Sequence, residues 1–72
     1  MDLVEIKQKE RLSREEAAAR LRELADQLAR HNEVAFERGS VLMRAHVPDE
    51  VDFKLEFEIE DDGTELEIEL SW

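Results

Sequence analysis

The sequence predicts an α+β fold of order β-α-β-β-β-β, a mostly antiparallel five-stranded sheet with one helix packed on one face. Three observations carry that prediction. Residues 51–72 alternate apolar and polar on both sides of Asp61-Asp62-Gly63, the period-2 pattern of two strands with one buried and one wet face. Residues 14–30 carry an apolar stripe at the 3,4 spacing behind a capping serine, which is the pattern of an amphipathic helix. Residues 34–47 alternate again on either side of Gly39.

Taken in order, the first strand is expected over residues 3–11. Val4 and Ile6 point one way, and Glu5, Lys7, Lys9 and Arg11 point the other. Gln8 and Glu10 break the apolar signal, so the second half of this strand reads as an edge. The helix starts next. Ser13 is the N-cap, and Glu16 three residues on completes a capping box. Leu12 and Ala17 flank the cap as a hydrophobic staple. Glu15 and Glu16 suit the positive end of the helix dipole. Ala17, Leu21, Leu24, Ala25 and Leu28 form the apolar stripe. Arg30 and His31 suit the negative end, and Asn32 can take the left-handed conformation that closes a helix.

The second and third strands form a hairpin. Val34 and Phe36 face in, Arg38-Gly39 makes the turn, and Val41, Met43, Ala45 and Val47 face in again. That turn pairs Phe36 with Val41 and Val34 with Met43. Leu42 then points outward with Ala35, Arg44 and His46. Pro48-Asp49-Glu50 ends the third strand, because proline cannot donate to a ladder. The fourth strand is expected over 51–60 and the fifth over 64–72, joined at Asp62-Gly63. The unit formed by the first strand, the helix and the second strand suits a right-handed crossover.

The Asp62-Gly63 turn implies a register. Its inward pairs are Ile59–Leu66, Phe57–Ile68, Leu55–Leu70 and Phe53–Trp72. Its outward pairs are Glu60–Glu65, Glu58–Glu67 and Glu56–Glu69, then Lys54–Ser71. Each facing Glu pair costs up to about 1 kcal/mol. Four readings of this acidic face stay open: a solvated surface, internal neutralisation by Lys7, Lys9 and Arg11, a basic protein partner, or a weak divalent-cation surface. The candidate acidic surface is Glu56, Glu58, Glu60, Glu65, Glu67 and Glu69.

The apolar face poses a separate question. A helix is about 10–12 Å wide, whereas five strands span roughly 24 Å. One helix covers about half of such a sheet unless the sheet curls around it. Any remaining strip would mate with a second copy or another protein. Phe53 and Trp72 on the inner face, with Leu42 on the outer one, are the candidate interface residues. Trp72 is also expected to seal the end of the core opposite Phe53.

Composition bounds the function. The chain has 72 residues, no cysteine and a formal net charge of −10. It is read as one domain over residues 1–72, with a core of marginal size. Residues 51–72 hold nine acids and one base, a net of −8, so residues 1–50 carry only −2. That polarity disfavours direct nucleic-acid binding, which needs a basic surface. No stretch approaches the roughly 18 apolar residues of a membrane span, and no signal-like run opens the chain. A cytoplasmic protein is expected.

Catalytic patterns are weak. His31 sits at the helix end and His46 on an outward strand position, neither with a recognisable set of metal ligands around it. Ser13 serves as a cap, and Ser40 and Ser71 have no activating histidine in pattern. An open strand face does not bury or distinguish two carboxylates, so the Glu pairs make a poor acid–base dyad. No enzyme activity and no cofactor are expected. The expected role is an interaction or assembly module, with a homodimer or a protein partner on the apolar face or an edge. The alternative is an acidic surface for a basic protein or divalent cations.

Four stretches carry a family resemblance: Val-Glu-Ile-Lys at 4–7, Leu-Ser-Arg-Glu-Glu-Ala-Ala at 12–18 with Leu-Arg-Glu-Leu-Ala-Asp at 21–26, Val-Pro-Asp-Glu-Val at 47–51, and Leu-Glu-Ile-Glu-Leu-Ser-Trp at 66–72. Through them the chain resembles the small amphi-Trp domain proteins of bacteria and archaea. The closing Leu-Ser-Trp is the most specific part. The resemblance implies amphipathic strands and a tryptophan, but no activity, catalytic residue or ligand. Leu42 and Met43 depart from its polar alternation, on the third strand.

Overall fold

The computed structural model describes residues 4–72 and, for Arg38, the backbone alone. The order is α1 (Arg14–His31), β1 (Glu33–Arg38), β2 (Val41–His46), β3 (Asp52–Glu60) and β4 (Gly63–Ser71). The class is α+β, but the strands form two separate antiparallel hairpins, β1–β2 and β3–β4. The expected single five-stranded sheet is therefore corrected.

The helix begins and ends where its residues direct. Ser13 is extended (φ −66°, ψ 160°), and its Oγ accepts the Glu16 N–H at 3.1 Å. That satisfies one of the donors a helix start leaves open. Asn32 closes the helix in the left-handed region at φ 51°, ψ 35°, a conformation Asn tolerates better than most residues.

α1 packs on β1. Leu24, Gln27 and Leu28 are half-buried, and Gln27 Oε1 accepts the backbone N–H of Ala35 at 3.1 Å. A strand edge left open exposes a row of unpaired backbone groups, and the helix covers part of that row for β1. Past β2 the chain returns to the helix end, where the Val47 N–H donates to the Asn32 carbonyl at 2.8 Å. Val34 and Val47 are the buried apolar residues among those described, and they mark the centre of this unit.

The expected first strand is absent: residues 4–13 adopt no regular secondary structure, and Leu3 lies outside the described residues. The reason is the short apolar signal. Val4 and Ile6 line an apolar groove with Val34, Phe36, Met43 and Ala45, so they lie against the β1–β2 face as their alternation suggests. Two side chains bury too little to hold a longer strand in a ladder. Farther along, Glu10 is tied to Arg20 of α1 at 2.9 Å. Without a first strand there is no crossover unit.

In the first hairpin the loop is Gly39-Ser40, and Phe36 faces Met43 while Val34 faces Ala45. The expected Arg38-Gly39 turn is thus displaced by one residue, and each partner by two, which preserves the faces. Gly39 takes φ 61°. A primed turn needs positive φ at its first central residue, which Gly adopts freely and Arg does not.

The chain is open for its size. Its radius of gyration is 14.1 Å, against about 11.2 Å for a compact domain of this length. It exposes 7101 Å², against about 4,650 Å² for a compact monomer of this mass. The excess is about 2,450 Å² on the same scaling, and the exposed β3–β4 contributes to it. Among the described residues, that hairpin packs on neither α1 nor β1–β2.

Candidate interaction surface

β3 and β4 form from aromatic and aliphatic residues alternating with mostly charged ones: Phe53, Leu55, Phe57 and Ile59 on one strand, Leu66, Ile68 and Leu70 on the other. The observed register sets Phe53 opposite Leu70, Leu55 opposite Ile68, Phe57 opposite Leu66 and Ile59 opposite Thr64. The loop is Asp61-Asp62, and Gly63 is the first residue of β4. This corrects the expected Asp62-Gly63 turn and moves every partner by two. An Asp-Gly primed turn would need positive φ at both residues, and neither has it.

The displaced register changes the electrostatics. Facing Glu pairs fall from the expected three to two, Glu56–Glu67 and Glu58–Glu65, while Lys54 now faces Glu69 and Glu60 faces Gly63. One repulsion is removed and one attraction gained, each worth about 0.2–1 kcal/mol. That difference supplies a physical reason for the shift. Lys54 Nζ also lies 3.8 Å from Glu56 Oε2. Lys7 pairs with its neighbour Glu5 at 3.2 Å. Among the described residues no ion pair joins Lys7, Lys9 or Arg11 to the hairpin, so internal neutralisation by the N-terminal bases is not observed.

On the other face the apolar row lies open. Its large residues on β3 and β4, Leu70 aside, are between 47% and 71% exposed, Ile68 and Ile59 marking the limits. Leu70 is half-buried. Trp72 follows β4 and is 55% exposed. It neither seals a core nor faces Phe53, because the register leaves it beyond the ladder. Phe53 and Trp72 are both exposed, at the same end of the hairpin. Leu42, also exposed, sits on β2 opposite Glu37, on the other hairpin, and is not brought together with them.

Sequence reasoning missed further members of the exposed apolar surface, Val41 of β2 at 55% among them. Leu21 of α1 and Phe36 of β1 were assigned to a covered interior, yet they are 51% and 40% exposed. Both line a groove between helix and strand with Leu24 and Ala35, and with Arg20, Glu23 and Glu37 as its charged groups. The mismatch in width between one helix and a wide sheet was the signal that could have exposed them.

At the hairpin tip, Glu58, Glu60, Asp62 and Glu65 surround a polar cleft with Gly63 and Thr64. No group of His, Cys, Asp or Glu among the described residues is placed to hold a metal ion. His31 is exposed at the helix end, and His46 ends β2 opposite Glu33. No helix among the described residues is long and apolar enough to cross a membrane.

No curated protein and no solved structure matches the chain. The amphipathic strands ending near a tryptophan do correspond to a known family: its model, the Amphi-Trp domain, matches residues 1–72. That match spans the whole chain, which therefore belongs to the Amphi-Trp domain family.

Proposed function

We propose that the chain is a non-enzymatic assembly module of the cytoplasm that self-associates, or binds a protein partner, through the apolar face or an edge of β3–β4. One observation carries this reading: an apolar row on a well-formed hairpin lies largely exposed, with neither α1 nor β1–β2 packed on it among the described residues. Isolated two-stranded hairpins are marginal in water, and contiguous apolar patches of this kind mark interaction sites. A covering partner supplies what the single chain lacks.

Sedimentation equilibrium from about 1 μM to about 1 mM, the range in which weak to moderate association is read, tests the self-association half. A concentration-dependent mass supports it. A monomer throughout, with Trp72 fluorescence unchanged on adding cell proteins that co-purify with the chain, refutes the module reading.

A second reading rests on the acidic cleft at the hairpin tip. There the surface of Glu56, Glu58, Glu60, Glu65, Glu67 and Glu69 binds a basic protein or, more weakly, divalent cations. Titration with a basic protein, Ca²⁺ and Mg²⁺ decides it. Saturable shifts confined to these strands support this reading, and none removes it.

A further inference from the structure

We infer that the occupant of the hairpin's apolar face is a second copy of this chain, and that two copies exchange hairpins: β3–β4 of each lies over the exposed α1–β1 surface of the other. The inference rests on the self-association reading and adds which surfaces meet.

Area comes first. The excess exposure of about 2,450 Å² per chain amounts to about 4,900 Å² for two, which falls in the range of obligate homodimers, about 2,000–5,000 Å². A two-fold exchange hides both apolar surfaces of each chain in one closed assembly. Pairing hairpin face to hairpin face would hide one and leave Leu21 and Phe36 in water.

Charge disfavours the face-to-face pairing. Residues 51–72 carry a net −8, whereas residues 1–50, with nine bases and eleven acids, carry −2. Face-to-face hairpins would bring two of the −8 segments together. Exchange instead seats each on a segment of much lower charge, where Arg20 lines the groove beside Glu23 and Glu37, so the repulsion is smaller.

The dimensions also agree. Nine-residue strands run about 30 Å at about 3.4 Å per residue, and the 18-residue helix runs about 27 Å at about 1.5 Å per residue. The hinge suits the exchange. Val47 is held at the helix end by its bond to Asn32, and Pro48 follows. Proline biases the residue before it toward extended backbone, and the hairpin beyond it makes no contact with α1 among the described residues. Short hinges of this kind favour swapping over folding back.

The chain has no cysteine, so introduced thiols report contacts without background. Leu21→Cys and Phe57→Cys are made as separate variants, and sedimentation equilibrium is run on each. Mixed and oxidised, they yield a Leu21–Phe57 linked dimer at about tenfold or more over either variant alone, since docked thiols meet at about millimolar effective concentration. Self-linking of the Phe57→Cys variant would mean face-to-face hairpins; it would overturn the exchange while self-association stands. Internal closure of one chain carrying both substitutions, at a rate independent of concentration, would overturn it in favour of folding back. A monomeric wild-type chain would overturn the exchange together with the self-association half of the proposed function. Unmodified protein gives a second readout: a mixture of isotope-labelled and unlabelled chains shows intermolecular contacts between the Phe57 ring and the Leu21 methyls, and a dimer without them refutes the exchange.

Discussion

Replacing Phe57 by serine separates what the hairpin contributes to its own fold from what it contributes to assembly. Phe57 is 64% exposed in the single chain and faces Leu66 across the ladder. Burying a phenylalanine side chain fully is worth about 1.5–3 kcal/mol, so about two-thirds of that, roughly 1–2 kcal/mol per copy, remains to be gained on covering. A two-fold dimer loses it twice, roughly 2–4 kcal/mol, which raises the dissociation constant about 30- to 900-fold. The single chain should hardly notice, since surface substitutions usually fall within about 0.5 kcal/mol. Sedimentation equilibrium measures the first quantity, and circular dichroism with thermal melting of the dilute monomer the second. A Kd within about threefold of the wild type, with the fold intact, would refute the reasoning, because so small a change is under about 1 kcal/mol. A dilute monomer that unfolds on this substitution would equally show that the ring is already packed within the chain.

Other expectations follow from the same geometry. Glu58→Lys turns the facing pair with Glu65 from like to opposite charge and should stabilise the hairpin by about 0.4–2 kcal/mol, read by chemical denaturation. Raising ionic strength from about 0.01 M to about 0.15 M shortens the screening length from about 30 Å to about 8 Å and should raise the melting temperature. A fall would mean that attractive pairs dominate. Gly39→Ala should cost about 1–2 kcal/mol, because the residue sits at φ 61°. Gly63→Ala has open space for its methyl and no positive φ, so it should stabilise by about 0.4–1 kcal/mol. Ser13→Ala removes the acceptor for the Glu16 N–H and should cost about 1 kcal/mol of helix stability, seen in far-ultraviolet melting.

Local chemistry made the helix legible, and long-range pairing escaped. Ser13 and Asn32 bound α1 because a side-chain oxygen and a left-handed backbone are properties of single residues. The faces of all four strands follow from alternation, which survives a shift of partners by two. The registers did not follow, because both depend on which residues occupy the loop. Arg38-Gly39 and Asp62-Gly63 each centred the turn on the glycine's position, and the structure uses Gly39-Ser40 and Asp61-Asp62 instead. At the second hairpin, cross-strand charge counts for more than the favourable dipeptide. The first strand failed because Val4 and Ile6 carry an alternation too short to compete for a ladder. The acidic surface was readable residue by residue, but its facing pairs were not. Of the candidate interface, Phe53, Trp72 and Leu42 are all exposed, but the expected Phe53–Trp72 pair is not formed.

The two faces of β3–β4 also determine how far association can go. The hairpin has an unpaired edge along each strand, and strands this apolar are a template for endless sheet growth. Each further hairpin added edge to edge would stack its carboxylates on those of the one before, about 4.8 Å away, so repulsion accumulates with every addition. The acids that weaken the lone hairpin therefore act as gatekeepers. They permit a closed pair, in which apolar faces are hidden and acids point outward, and they oppose a fibre.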